Sequence, residues 1–197
     1  MVRPDLALLA EWIPQGARVL DLGCGDGSLL AYLKEARGIQ GYGLEIDPDN
    51  IARCLDNGVN VIEQDLDQGL GNFADQRFDY VVMTQAIQAL ERPDGLLAEM
   101  LRVGREAIVT FPNFGYWRVR QYLLARGRMP VSRRLPYQWY DTPNIHLCTV
   151  RDFEALCHEH GHRIQERKVL NHDLQQTWPS QVWPNLFGEL ALYRLSH

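Results

Sequence analysis

Val19-Leu20-Asp21-Leu22-Gly23-Cys24-Gly25-Asp26-Gly27 is the most informative part of this sequence. The short apolar run Arg18 to Leu22 is typical of a buried strand, and Ser28 to Lys34 has the pattern of a helix. The glycines between them can adopt positive φ and let the backbone approach a ligand closely. The first turn of the helix offers unpaired N–H groups. The stretch therefore predicts a strand, a ligand-binding loop and a helix.

Outward from this stretch, strand and helix patterns alternate along the chain. Four more strands are predicted, at Gln40–Glu45, Val59–Ile62, Phe78–Met83 and Glu106–Phe111. Helices are predicted at Asp49–Asn57 and Asp94–Val103, and at the N-terminus, where Leu6, Leu9, Ala10 and Ile13 form one apolar face. This order predicts an α/β fold with a mostly parallel sheet and helices on both faces. Such sheets bind ligands outside the carboxyl ends of their strands, where the strand order reverses.

The last fifty residues depart from this alternation. Thr149 to His160 has a helical pattern, with Thr149 and Asp152 spaced as a capping box. Arg163–Leu170 and Glu189–Leu195 have strand patterns, and we expect no helix between them. Because no crossover helix joins these two strands, they are predicted to be antiparallel.

Length and charge narrow the classes of function. A chain of 197 residues fits one domain, residues 1–197. Its net charge of −5 argues against general binding to nucleic acid or an anionic membrane. We expect no secretory signal and no membrane span, because no apolar run is long enough. The four cysteines form no regular framework, which indicates reduced thiols in the cytoplasm.

Acidic residues accompany the glycine loop at the predicted strand ends. A dinucleotide fingerprint needs a third glycine where Ser28 stands, and the loop acids Asp21 and Asp26 favour a cationic amino group over phosphate. Glu45 ends the second strand, where it can accept both ribose hydroxyls, and Gln64-Asp65-Leu66-Asp67 follows the third strand, near the expected adenine. A glycine-rich turn alone is weak, but the combination predicts a site for S-adenosylmethionine or S-adenosylhomocysteine.

These motifs resemble those of the class I S-adenosylmethionine-dependent methyltransferases. The glycine loop matches their first motif, Phe78-Asp79-Tyr80-Val81-Val82 their fourth-strand motif, and His146-Leu147-Cys148-Thr149 the stretch before their last helix. The resemblance implies a seven-stranded sheet with an antiparallel last strand. It also implies roles for individual residues: the methionyl end at Asp21, Gly23, Cys24, Gly25 and Gly27, the ribose at Glu45, the adenine at Ile46, Asp65 and Leu66, and the methyl group near Gln85.

The segment 114–148 is not typical of that superfamily. It carries six arginines, no lysine and a single acid, Asp141, together with six tyrosine and tryptophan residues: Tyr116, Trp117, Tyr122, Tyr137, Trp139 and Tyr140. In an acidic chain this excess indicates a surface for an anionic partner or substrate, since arginine suits interfaces. The alternative is a solvated lid over the cofactor. Loops of this length are usually functional.

Motifs inside and beside this segment resemble the MetW family of methionine-biosynthesis proteins. They are Pro112-Asn113-Phe114-Gly115-Tyr116-Trp117, Gly127-Arg128-Met129-Pro130-Val131, the run Trp139 to Leu147, and Glu99-Met100-Leu101-Arg102-Val103-Gly104-Arg105. The resemblance implies a partner subunit that the homoserine O-acyltransferase MetX needs for full activity. It does not by itself imply methyl transfer.

A catalytic group is hard to identify. Gln85 and Gln88 cannot act as bases, and His146 is the best candidate, although a structural role is the more ordinary interpretation. His158, His160 and His162 do not share one helix face, which argues against a metal site. Three hypotheses follow: an accessory subunit of the acyltransferase, a small-molecule methyltransferase, and a methyltransferase that modifies the partner protein.

Overall fold

The computed structural model describes residues 4–132 and 134–197. Its strands are β1 (Arg18–Leu22), β2 (Gln40–Glu45), β3 (Val61–Glu63), β4 (Phe78–Thr84), β5 (Gly104–Pro112), β6 (Arg163–Leu170) and β7 (Leu190–Ser196). Its helices are α1 (Pro4–Ala10), α2 (Ser28–Arg37), α3 (Pro48–Asp56), α4 (Pro93–Val103), α5 (Trp117–Arg126), α6 (Val150–Glu159), α7 (Trp178–Val182) and α8 (Pro184–Phe187). Within these ranges, none of the helices is long and apolar enough to cross a membrane.

The strands form one seven-stranded sheet in the order β3-β2-β1-β4-β5-β7-β6. The first five strands along the chain are parallel to one another, and β7 is antiparallel to both β5 and β6. This confirms the predicted fold, including the antiparallel last strand. The strand order reverses between β1 and β4, so a crevice at their carboxyl ends is the expected ligand site.

Residue alternation along β1 distributes its side chains between two apolar clusters. Leu20 and Leu22 belong to the cluster that includes buried residues of α4 and α6, whereas Val19 belongs to the cluster formed with α1, α2 and α3. Successive side chains in a strand face opposite sides of the sheet. Asp21 therefore lies on the face of Val19, among apolar side chains and close to the glycine loop.

The structure corrects three expectations about helices and strand ends. Two short helices, α7 and α8, lie between β6 and β7, where none was expected, and they escaped prediction because each is five residues or fewer. The segment 114–148 contains α5, which has no buried side chain and so no buried stripe to reveal it. The third strand begins at Val61 because the Val59 N–H still bonds to the Cys54 carbonyl in the turn that ends α3.

The predicted capping box at the start of α6 is present. Thr149 Oγ1 accepts from the Asp152 N–H (3.2 Å), and Asp152 Oδ2 accepts from the Thr149 N–H (3.1 Å). We expect Thr149→Ala to lower the free energy of unfolding by about 1 kcal/mol, because an N-terminal N–H loses its acceptor. Urea denaturation measures the change. Thr149→Ser, which keeps the hydroxyl, is the matched control, and equal stabilities of the two variants would contradict the prediction.

Candidate functional site

The glycine loop between β1 and α2 has a backbone that only glycine adopts readily. Gly25 and Gly27 have φ values of 56° and 75°, in the left-handed region. A Cβ on Gly27 would also lie 3.0 Å from Cys54 Sγ and 3.2 Å from Val59 Cγ2. The loop is therefore shaped by both backbone conformation and close packing against α3 and the residues that follow it.

Glu45, at the carboxyl end of β2, fixes this loop. Its Oε2 accepts from the Gly25 N–H (2.8 Å), and its Oε1 accepts from the N–H groups of Ile46 (2.8 Å) and Asp47 (3.0 Å). A carboxylate offers about four lone-pair sites, so Glu45 retains room for a further donor. The sequence predicts Glu45 as a ligand residue, but no sequence pattern indicated that the same carboxylate holds the glycine loop against β2.

The carboxyl group of Asp21 is fully buried. In the described part of the chain, neither of its carboxyl oxygens has a hydrogen-bond partner. Burial, and to a smaller extent the neighbouring Glu45 carboxylate, together raise the pKa of Asp21 to about 8. A buried polar group without a partner is costly. This location suits a cationic group that would pair with the carboxylate.

A cavity of about 570 Å³ opens at the carboxyl ends of the strands. Six of the residues that the sequence assigned to the cofactor line it: Gly23, Glu45, Ile46, Asp65, Leu66 and Gln85. They come from the ends of β1, β2, β3 and β4, so the parallel sheet brings them together as expected. The cavity lies at the reversal of strand order, where α/β folds bind their ligands.

The other candidate residues do not line this cavity: Asp21, Cys24, Gly25, Gly27 and His146. Cys24 is buried with its Sγ 3.7 Å from Cys54 Sγ, and burial raises the pKa of its thiol, which keeps it protonated and unreactive. The side chain of His146 is exposed to solvent. Neither geometry is that of a nucleophile or base acting in the cavity.

One wall of the cavity combines an apolar surface with acceptors. Ile46 is 57% exposed although it is apolar, and Leu66 lines the same cavity. Asp65 caps the short 3-10 helix Leu66–Gln68 by accepting from the Asp67 N–H (3.0 Å). The carboxylate of Asp65 has further acceptor capacity. An apolar plate beside such an acceptor suits a flat heterocycle that carries an amino group.

Gln85 and Gln88 form the floor of the cavity near the end of β4. Gln85 has a φ of 55°, and its N–H donates to the Thr110 carbonyl (2.8 Å). The Gln88 side chain is buried, its Nε2 donates to the Gln85 carbonyl (2.7 Å), and its Oε1 has no hydrogen-bond partner among the described residues. The Gln88 carbonyl in turn accepts from the N–H groups of Ile145 and His146 (2.9 and 3.0 Å). Gln88 thus connects the cavity floor to the segment 114–148.

Part of the segment 114–148 forms the opposite wall of the cavity. Five of its residues line the space: Arg134, Pro136, Tyr137, Pro143 and Asn144. On the outer side of the same stretch, Trp139 is 75% exposed and Tyr140 is 71% exposed. The composition of this segment is unusual, but no local sequence pattern indicated which of its residues line the cavity.

Metal coordination receives no support from side-chain geometry. Across residues 4–132 and 134–197, no group of three or more His, Cys, Asp or Glu side chains is arranged to hold a metal ion. His160 and His162 stack with ring centroids 5.9 Å apart. Burial lowers the pKa of His162, which favours its neutral form.

Comparison with known proteins gives a family match over nearly the whole chain. The sequence model for the family described as methionine biosynthesis protein MetW matches residues 3–195. A curated relative from Rhodopirellula baltica, the bifunctional methionine biosynthesis protein MetXA/MetW, is 36% identical over 197 residues. The match covers 95% of this chain and 32% of the relative, so the chain spans about a third of the length of that relative.

Solved structures share the fold at low sequence identity. An S-adenosylmethionine-dependent methyltransferase from Mesorhizobium loti superposes with a TM-score of 0.71 and 18% identity, covering 99% of this chain and 98% of that chain. Another from Archaeoglobus fulgidus gives a TM-score of 0.69 and 20% identity, covering 98% and 93%. The chain therefore has a methyltransferase fold. A fold alone does not determine the reaction.

Proposed function

Because this chain belongs to the MetW family of methionine biosynthesis proteins, we propose that it binds S-adenosylmethionine or S-adenosylhomocysteine and acts as an accessory, activating subunit of the homoserine O-acyltransferase MetX. The proposal that the chain binds this cofactor rests on the Glu45 carboxylate, which lines the cavity and also holds the glycine loop in place. The proposal that the chain acts with MetX is supported by the name of the bifunctional relative, which joins MetXA and MetW.

In this proposal each strand end contributes one part of the cofactor site. A ribose hydroxyl takes the remaining acceptor capacity of Glu45, the adenine packs on Ile46, and its amino edge meets Asp65 and Leu66. The methionyl end lies along the glycine loop, formed by Gly23, Cys24, Gly25 and Gly27, with Asp21 beneath it and Gln85 near the sulfur. The cofactor would supply a cationic amino group, which suits the unpaired carboxyl group of Asp21.

The segment 114–148 is the proposed link between the cofactor and the partner. Its stretch 134–144 lines the cavity on one side and exposes Trp139 and Tyr140 on the other. In this proposal a ligand that contacts the inner side orders the stretch, and the partner detects that change on the outer side. We propose that the protein senses the cofactor in this way, within a single domain of residues 1–197. Its four cysteines are free thiols, which fits the cytoplasm.

Rate measurements test the accessory role. The homoserine O-acyltransferase of the same organism is assayed for homoserine acylation alone, with this chain added, and with this chain plus S-adenosylmethionine or S-adenosylhomocysteine. We expect the chain to co-purify with the enzyme and to raise its rate. No association and no change in rate would refute the proposal.

A substitution in the glycine loop tests whether the cofactor controls activation. Gly25→Arg places an arginine at a position with a φ of 56°, and its side chain blocks the cofactor-binding loop without touching the sheet. Isothermal titration calorimetry is expected to show loss of cofactor binding in this variant. If activation of the acyltransferase survives unchanged, the cofactor is not the switch.

The second candidate function is methyl transfer to a small molecule. It is favoured by the extent of the cavity, which continues beyond the residues assigned to the cofactor to Arg134, Tyr137 and Asn144. Holding an acceptor beside the methyl group is the main requirement for such a reaction. Incubation with methyl-labelled cofactor and cell metabolites tests it, and intact-mass measurement of the acyltransferase tests methylation of the partner. Cofactor binding with no labelled metabolite and no methyl-sized mass gain on the acyltransferase would exclude both reactions.

A further inference from the structure

Helix α5 is unusual because it buries none of its side chains. Leu124 is 89% exposed, Leu123 47% and Tyr122 41%. A ten-residue helix is below the length of about 12–15 residues at which isolated helices are even marginal in water, and most helices in proteins are stabilised by packing an apolar face. The apolar side chains of α5 therefore lack a cover within the described part of the chain.

A second exposed apolar region lies beside α5, on the helices α7 and α8. Trp178 is 66% exposed and Trp183 is 53% exposed, and their rings meet edge to face with centroids 5.8 Å apart. A cleft of about 360 Å³ separates these helices from α5 and α6. Its apolar lining consists of Val150, Val182, Trp183, Pro184 and Leu186, and its polar lining of Arg120, Arg151, Glu154 and Asn185.

The cleft carries uncompensated positive charge. Glu154 is already engaged, because its Oε1 accepts from Arg167 (2.7 Å) and from the Tyr193 hydroxyl (3.0 Å). The Arg120 guanidinium donates to the main-chain carbonyls of Gly115 and Asn185, which are neutral. Arg151 is exposed. Over the ranges that the structure describes, no carboxylate forms an ion pair with Arg120 or Arg151.

We propose that α5, α7, α8 and the cleft between them, together the α5–α8 surface, form the docking site for the acyltransferase of the proposed function. The partner presents an apolar segment flanked by carboxylates. The apolar segment covers the exposed leucines and tryptophans, and the carboxylates pair with Arg120 and Arg151. This inference rests on the proposed function and adds the location and chemistry of the contact. Buried aromatic and arginine side chains are the usual energetic centres of such interfaces.

Charge argues against a second copy of this chain as the occupant. In a symmetric dimer the same patch contacts itself. The arginines of one α5–α8 surface would then face those of the other, and like charges across an interface are unfavourable. An acidic partner removes this repulsion.

Two single substitutions test the docking site by calorimetric titration with the purified acyltransferase. Leu124→Glu places a carboxylate in the apolar patch, and Arg151→Glu reverses the charge of the cleft. Both side chains are exposed, and an acid in the first turn of α6 interacts favourably with the helix dipole, so both variants should fold. We expect each to weaken the acyltransferase complex by about tenfold or more, as substitution of interface hot spots does.

Leu55→Glu, on α3 beside the opposite edge of the sheet, is the matched control and should leave the affinity unchanged. Retained binding of S-adenosylmethionine shows that the variants are intact. Wild-type affinity in both Leu124→Glu and Arg151→Glu would overturn the docking site while leaving the proposed function in place. A wild-type chain that self-associates through Leu124, as judged by sedimentation, would also overturn it. If the wild-type chain does not bind the acyltransferase at all, the proposed function itself fails.

Discussion

Glu45→Gln is expected to loosen the glycine loop and to weaken S-adenosylmethionine binding by about tenfold to hundredfold. The Glu45 carboxylate accepts hydrogen bonds from three main-chain N–H groups, one of which belongs to Gly25. A glutamine offers a single acceptor oxygen, so in either orientation its NH₂ group faces an N–H donor that was previously bonded. A buried donor left without an acceptor costs about 1–3 kcal/mol.

Calorimetric titration with S-adenosylmethionine and urea denaturation together measure both consequences. Glu35→Gln, on the exposed surface of α2, makes the same change of charge away from the cavity and serves as the control. We expect the control to match the wild-type chain in both measurements. Unaltered cofactor affinity in Glu45→Gln would mean that the Gly25 contact does not organise the site.

Most of the sheet could be predicted because strand and helix patterns alternate along the first half of the chain, with glycine or acidic residues at the ends of the first strands. β1 and β2 match their predicted limits, since the strand ends coincide with the glycine loop and with Glu45. The same regularity explains why residues from several strands line one cavity: in a parallel sheet the carboxyl ends of neighbouring strands meet at one edge. Gly23, Glu45 and Asp65 could therefore be assigned to one site from sequence positions alone.

Helices α5, α7 and α8 could not be predicted because none of them has a repeated stripe of buried apolar residues. A helix is recognised by its buried stripe, and α5 buries nothing. The helices α7 and α8 are too short for a period to repeat, although Thr177 and the prolines Pro179 and Pro184 stand at their starts, where such residues favour helix initiation. Gln88 was not predicted as a link because its partners Ile145 and His146 are far away in sequence and are brought to it by the path of the segment 114–148.

Asp21→Asn is expected to change how stability depends on pH. Burial and the nearby Glu45 carboxylate raise the pKa of Asp21 from an ordinary value of 3.8 to about 8, so the folded chain holds a proton on this group that the unfolded chain releases above pH 3.8. The stabilisation is complete below the unfolded pKa and is lost as pH rises toward the folded pKa. The contribution of Asp21 therefore falls by about 1.4 kcal/mol per pH unit across this window. Asparagine has nearly the same shape and does not titrate.

Urea denaturation of both proteins from about pH 5 to about pH 8 isolates this contribution. Other groups titrate in the same range, including His162, whose pKa is lowered by burial and whose contribution is lost as pH falls. These contributions are common to both proteins and cancel in the difference. We expect the Asp21→Asn variant to gain stability relative to the wild-type chain as pH rises. The curve of stability against pH for the exposed Asp56→Asn control should run parallel to the wild-type curve. Parallel curves for Asp21→Asn would show that Asp21 is ionised when buried.

The same substitution connects stability with ligand binding. If a cationic amino group pairs with Asp21, the carboxyl group must ionise, and the bound complex releases up to one proton near neutral pH. Titration calorimetry in buffers of different ionisation enthalpy measures this release. We expect it in the wild-type chain and not in Asp21→Asn, which should also bind S-adenosylmethionine much more weakly. Binding by the wild-type chain without proton release would remove Asp21 from the cofactor site, because a buried carboxyl group that stays protonated does not attract a cation.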